Sequence, residues 1–147
     1  MKPTTPAEEK EFQQKYMTYN LYKQQAQALV KELSMLNQTA QTMTTAREVL
    51  KNIDGSKESE ILVPVGGNTF LKAKIEDAEN VLVGVGSDIV LKKPVKDALT
   101  AIDEQIENLQ NASEKLNTQM KTLEDQMRIL EPEIQKMVQA VRKEPKQ

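Results

Sequence analysis

The sequence predicts an α+β chain, a long antiparallel two-helix coiled coil with a central segment of two β-hairpins. Apolar residues recur at alternating steps of three and four over two long stretches, one on each side of the middle of the chain. In the middle the alternation switches to a period of two, with Gly, Asn, Ser and Asp at the turns. The composition is also poor in large side chains. Hydrophobic residues make up 38% of the 147, with two Phe, three Tyr and no Trp, so narrow seams must do the burying that a thick core does elsewhere. The length allows a single subunit-sized domain, residues 1–147.

The first stripe runs from Phe12 through Lys15, Tyr19, Tyr22, Ala26, Leu29, Leu33, Leu36, Ala40, Met43 and Arg47 to Leu50. Only the two cations interrupt it. Thr5-Pro6-Ala7-Glu8 reads as a helix start, in which Thr5 caps, Pro6 takes the first helical position and Glu8 completes a capping box. Asp54-Gly55-Ser56 reads as its end, with Gly55 free to adopt the left-handed conformation of a C-terminal cap. The helix is expected over 5–53. The second stripe starts at Val95 and continues through Leu99, Ile102, Ile106, Leu109, Ser113, Leu116, Met120, Leu123, Met127, Leu130, Ile134, Met137 and Val141, so a second helix is expected over 94–141 with Pro94 first. Each helix is about 47 residues, or roughly 70 Å, and equal lengths suit a hairpin. Pairing outward from the centre sets Leu50 near Val95 and Phe12 near Glu133 or Ile134, with both chain ends at the far tip. Pro132 falls inside the second stripe, so the helix either kinks there or ends there.

The hairpins are expected over 60–91. Ile61 to Val65 and Thr69 to Ile75 form the first, joined by Gly66-Gly67-Asn68; Val81 to Val85 and Ile89 to Leu91 form the second, joined by Gly86-Ser87-Asp88. Two hairpins of this size are marginal in water and leave apolar edges open. Ile61, Val63, Val65, Phe70, Leu71, Ile75, Val81, Val83, Val85, Ile89 and Leu91 are therefore expected to drive oligomerisation, with strands of other subunits covering them.

Chemistry is scarce. With no His, Cys or Trp, the commonest general base, the usual zinc ligands and the reactive thiol are all missing, so no enzyme, no metal and no cofactor is expected. The carboxylates sit on helix faces beside basic residues, as Glu11 beside Lys15 and Glu124 beside Arg128, where solvated pairs are the simplest reading. Gly84-Val85-Gly86 lacks the third glycine and the following helix of a phosphate loop. Twenty basic and twenty-two acidic residues leave a net charge of -2 without a basic block, which argues against nucleic acid. No stretch is apolar enough for a membrane span or a signal peptide, so a cytoplasmic location and no membrane partner are expected.

Near the expected tip the apolar residues leave the stripe. Tyr16, Met17 and Leu21 accompany Phe12 and Tyr19 on the first helix; Ile129 and Val138 accompany Ile134, Met137 and Val141 on the second. A two-helix arm cannot bury several faces, and a contiguous exposed apolar cluster marks a binding site.

Ile61-Leu62-Val63-Pro64-Val65-Gly66-Gly67-Asn68-Thr69-Phe70-Leu71-Lys72, then Val83-Gly84-Val85-Gly86-Ser87, set between heptad arms of equal length, resembles the α-type subunit of prefoldin. The resemblance spans almost the whole chain, and four strands in place of two separate it from the β-type. It implies that the hairpins join an intersubunit β-barrel, two α-type with four β-type subunits, from which six arms hang. It further implies an ATP-independent holdase that captures unfolded polypeptides and delivers them to a group II chaperonin. The client-binding residues it suggests are the tip positions Phe12, Tyr16, Met17, Tyr19, Ile134, Met137, Val138 and Val141. The alternative is a structural coiled-coil scaffold that docks one folded partner.

Overall fold

A first helix, α1 (Pro6–Lys51), leads into four strands, β1 (Glu60–Gly66), β2 (Thr69–Lys74), β3 (Asn80–Gly86) and β4 (Ile89–Pro94), and a second helix, α2 (Val95–Arg142), follows. The computed structural model describes residues 5–53 and 59–142, apart from the side chains of 141 and 142. The expected cap at Gly55 and the side chain of Val141 lie outside the described residues. Packing divides the chain into two compact units: the part of α1 up to Leu36 with the part of α2 from Ala112, and the segment Asn37–Asn111.

The capping box forms as the sequence predicts. The Thr5 amide donates to a Glu8 carboxylate oxygen at 2.8 Å, and the Glu8 amide donates to the Thr5 hydroxyl at 3.3 Å, so two otherwise orphaned amides of the first turn are satisfied reciprocally. At the other end of α1 the Asn52 side-chain amide donates to the Glu48 carbonyl at 2.8 Å, closing the last turn. Threonines inside the helices are accommodated in the same local way, the hydroxyls of Thr18, Thr44 and Thr122 each donating to the carbonyl four residues before.

The heptad seams hold along both helices. Every stripe position from Phe12 to Leu50 on α1, and from Val95 to Met137 on α2, is at least half buried, including Lys15, Arg47 and Ser113. Among the described residues only Ala98, Ile106 and Ile134 are buried, at 3 to 9% exposure, which is the signature of a narrow two-helix seam. In the first unit Lys15 meets Glu133 of α2 at 2.9 Å, so the start of α1 lies beside the end of α2 and the helices run antiparallel. In the second unit Arg47 meets Asp103 at 3.2 Å. α2 continues through Pro132 to Arg142, which removes the alternative of an early helix end. The proline lacks the amide that the Arg128 carbonyl would otherwise accept from, yet Ile134, two residues on, keeps the phase of the seam.

The strands form two separate antiparallel pairs, β1 with β2 and β3 with β4, and no closed barrel arises within the described chain. Each pair has a bulge one residue before its turn, between Pro64 and Gly66 and between Gly84 and Gly86. The turns are tighter than the three-residue loops expected. Gly66 and Gly86 still pair with Thr69 and Ile89, and each loop has two residues, Gly67-Asn68 and Ser87-Asp88, all four at positive φ as a primed hairpin turn requires. The hairpins are in fact a repeat offset by twenty positions. Ile61-Leu62-Val63-Pro64-Val65-Gly66 corresponds to Val81-Leu82-Val83-Gly84-Val85-Gly86, and Leu71-Lys72 to Leu91-Lys92. Even the ends match: the Ile75 amide donates to the Ser59 carbonyl at 3.3 Å and the Val95 amide to the Glu79 carbonyl at 2.9 Å. Ile75 thus lies just past β2, and Pro94, expected as the first helical residue, closes β4 opposite Asn80.

The connector between the hairpins is built on Asp77. Its carboxylate accepts from the backbone amides of Glu79 and Asn80, each at 3.0 Å, and pairs with Lys92 of β4 at 3.0 Å. The Lys92 ammonium, then the Asn80 and Glu79 donors, hold this carboxyl well below the usual carboxylate range. A lowered folded-state pKa stabilises the fold above the unfolded value of about 4 and is lost as the pH falls toward the folded value. The melting-temperature advantage of the wild type over Asp77→Asn should therefore be constant from pH 7 to about 5 and shrink below about 4. An advantage independent of pH would show that Asp77 acts by shape alone.

Candidate functional site

Among the described residues, each unit leaves a group of apolar side chains exposed. In the first unit, where α1 begins and α2 ends, Tyr16, Met17 and Leu21 of α1 and Ile129 of α2 lie off the seam and face solvent. Met17 is 71% and Ile129 66% exposed. Met17 and Leu21 are one helical turn apart and share a side of α1, and the Tyr16 ring stacks on Phe12 with centroids 5.9 Å apart. The residues expected at the tip differ in burial: Ile134, at 9% exposure, is buried, while Phe12, Tyr19, Met137 and Val138 are half buried. Tyr16, Met17, Leu21 and Ile129 are the exposed large apolar side chains of this region. Beside this surface Lys15 bridges Glu11 and Glu133, each at 2.9 Å, and those bonds raise its pKa, Glu11 contributing first.

In the second unit the strand register sorts the hairpin faces. On β1–β2 the pairs Ile61 with Ala73 and Val63 with Leu71 make one face wholly apolar. The opposite face carries Glu60, Lys74, Leu62, Lys72, Pro64 and Phe70, with a long Lys72–Glu60 ion pair at 3.9 Å. Phe70 is thus on the lysine face, across from Pro64, as the period-two alternation of β2 places it. Ile61, Val63, Val65, Leu71, Val85, Ile89 and Leu91 are exposed. Val81 and Val83 differ: they are half buried and line a groove of about 800 Å³ with Met43, Leu50, Ala98 and Ile102. Leu82 and Val90, on the other face of β3–β4 and outside the expected set, are exposed, Leu82 at 74%.

A protein-family model described as prefoldin subunit matches residues 22–140. The chain belongs to the prefoldin family. It is 35% identical over 135 residues to the prefoldin subunit alpha of Methanococcus aeolicus, covering 89% of this chain and 90% of that one. It is 32% identical over 108 residues to the prefoldin subunit alpha of Pyrococcus horikoshii, covering 72% and 73%. Among solved structures, the filamentous prefoldin of Methanocaldococcus jannaschii aligns with a TM-score of 0.65 at 27% identity, over 78% of this chain and 95% of that one. Prefoldin is a chaperone family and not an enzyme family, and the two helices with four strands between them fit its α-type subunits. The family match begins at Tyr22, so Tyr16, Met17 and Leu21 lie just ahead of it. Among the described residues no helix is long and apolar enough to cross a membrane.

Proposed function

We propose that this prefoldin subunit works as an ATP-independent holdase that captures unfolded polypeptides on the exposed apolar residues where α1 begins and α2 ends, and passes them to a group II chaperonin. The observation that carries the reading is the exposure of Tyr16, Met17, Leu21 and Ile129 on helices whose seam is already filled. Such surface holds any chain that itself exposes apolar groups, and a methionine adapts its shape to each. A single arm holds weakly, because burying one large side chain contributes roughly 1.5 to 3 kcal/mol before ordering costs. Several arms supply the avidity. The uncovered hairpin faces supply the assembly: two copies with four β-type subunits, whose strands cover Ile61, Val63, Leu71 and Leu91 in a shared β-barrel. The complex works in the cytoplasm and needs no nucleotide, no metal, no membrane and no nucleic acid.

Light scattering on the chain alone and mixed with a β-type subunit, followed by aggregation assays on two unrelated denatured proteins with and without ATP and magnesium, tests the proposal. The mixed complex should protect both proteins equally well in either condition. Failure to protect either, with saturable binding of one folded ligand instead, is the result expected of a structural scaffold.

A further inference from the structure

The two charged residues in the α1 seam sit at matching distances from its ends. Lys15 lies three residues inside Phe12, and Arg47 three residues inside Leu50. Each occupies a position where an apolar side chain would bury more surface, and each is half buried. Arg47 also leaves its Nε buried without a hydrogen-bond partner, which is a destabilising feature of its own. Across the seam, however, α2 presents a carboxylate to each: Glu133 to Lys15 at 2.9 Å and Asp103 to Arg47 at 3.2 Å.

A second copy of α1 brings only Glu11 and Glu48 near these positions, and in each copy they already pair with that copy's own Lys15 and Arg47, at 2.9 and 3.8 Å. In a parallel pairing in register, seam positions meet their own equivalents, so Lys15 faces Lys15 and Arg47 faces Arg47. In a fully overlapped antiparallel pairing, Phe12 faces Leu50, and the matching spacing sets Lys15 against Arg47 at both ends. Both ways of aligning α1 with itself along its full length bury like charges opposite each other, while the rest of the stripe from Tyr19 to Met43 is apolar and accepts either.

We propose that Lys15 and Arg47 are partner-selecting residues: they admit α2 to the seam of α1 and bar a second α1. The device matters because this chain offers uncovered strand faces for assembly, which bring copies of α1 into one another's neighbourhood.

The chain has no cysteine, so introduced thiols report cleanly. Ala26→Cys with Leu36→Cys places thiols that meet in either self-pairing, 26 with 26 in the parallel form and 26 with 36 in the antiparallel one. They cannot meet along a single helix. Full-length reporter chains, unfolded, refolded and mildly oxidised, are compared with the same reporter carrying Lys15→Met and Arg47→Met, and an exposed Lys31→Cys chain gives the collision baseline. We expect disulfide-linked dimer to rise about tenfold or more in the methionine background. Helical circular dichroism and melting temperature should be kept or raised there, and the Lys15→Arg, Arg47→Lys reporter should stay unlinked. A methionine background that folds normally yet links no more than the collision baseline overturns the proposal. So does loss of helicity in that background, because the ion pairs would then hold the fold and not choose the partner.

Discussion

Leu71→Asp should abolish assembly while leaving the helices intact. Leu71 lies opposite Val63 on the apolar face of β1–β2, and both are exposed in the single chain, so nothing within the subunit depends on them. In an assembly whose strands cover that face, the new carboxylate must be desolvated without a partner, at a penalty of several kcal/mol per subunit. Mass by light scattering in the presence of a β-type subunit should fall to monomer or shift to aggregate, with far-ultraviolet helical signal unchanged. Wild-type oligomers from the mutant would remove the strand faces from the assembly interface. Val83→Asp is a poorer probe, since Val83 is half buried and lines a groove with Met43, Leu50, Ala98 and Ile102, so a carboxylate there acts on the subunit itself as well as on assembly.

The second large effect is expected at the exposed apolar surface of the first unit. Replacing Tyr16, Met17, Leu21 and Ile129 together with Ser removes four side chains that the seam does not use, so helicity and assembly should survive. Each contributes roughly 1.5 to 3 kcal/mol when fully buried against a client, and even half of that is about three- to tenfold in affinity per side chain. Multiplied over several arms, the variant should protect neither of two denatured clients at concentrations where the wild type protects both. Ile134→Ser should act differently. Ile134 fills the seam, and its loss should lower the melting temperature, with client holding affected only through the weakened arm.

Sequence periodicity revealed the helices almost completely, because a heptad stripe is a local property. Each stripe position from Phe12 to Leu50 and from Val95 to Met137 turned out to be at least half buried, and the Thr5–Glu8 capping box formed as its spacing required. Pairing outward from the centre also set Phe12 near Glu133, within a turn of the Lys15–Glu133 bond, but the stripe did not say which side chains would bond across the seam. Lys15 and Arg47 read as interruptions until the register put Glu133 and Asp103 opposite them. Asp77 carries no pattern of its own in the sequence, and only the fold brings Lys92 within 3.0 Å of it. Ile134 read as part of the binding surface because sequence shows that a residue is apolar and not which way it faces. The twenty-residue repeat of the hairpins was visible in the letters, but the shared geometry of Gly67-Asn68 and Ser87-Asp88, whose letters differ, shows only in the fold.

The central claim, capture by apolar contact without nucleotide, is tested most directly by the rate at which a fluorescent client leaves the assembled complex. The rate is measured for the wild type and the four-serine variant from about 50 to 500 mM sodium chloride, a range over which mainly ionic binding weakens steeply, with and without ATP and magnesium. We predict slow release from the wild type that barely changes with salt or ATP, and fast release from the variant in every condition. Wild-type release that accelerates about tenfold across the salt range, release triggered by ATP, or a variant that holds its client as long as the wild type would each contradict the account.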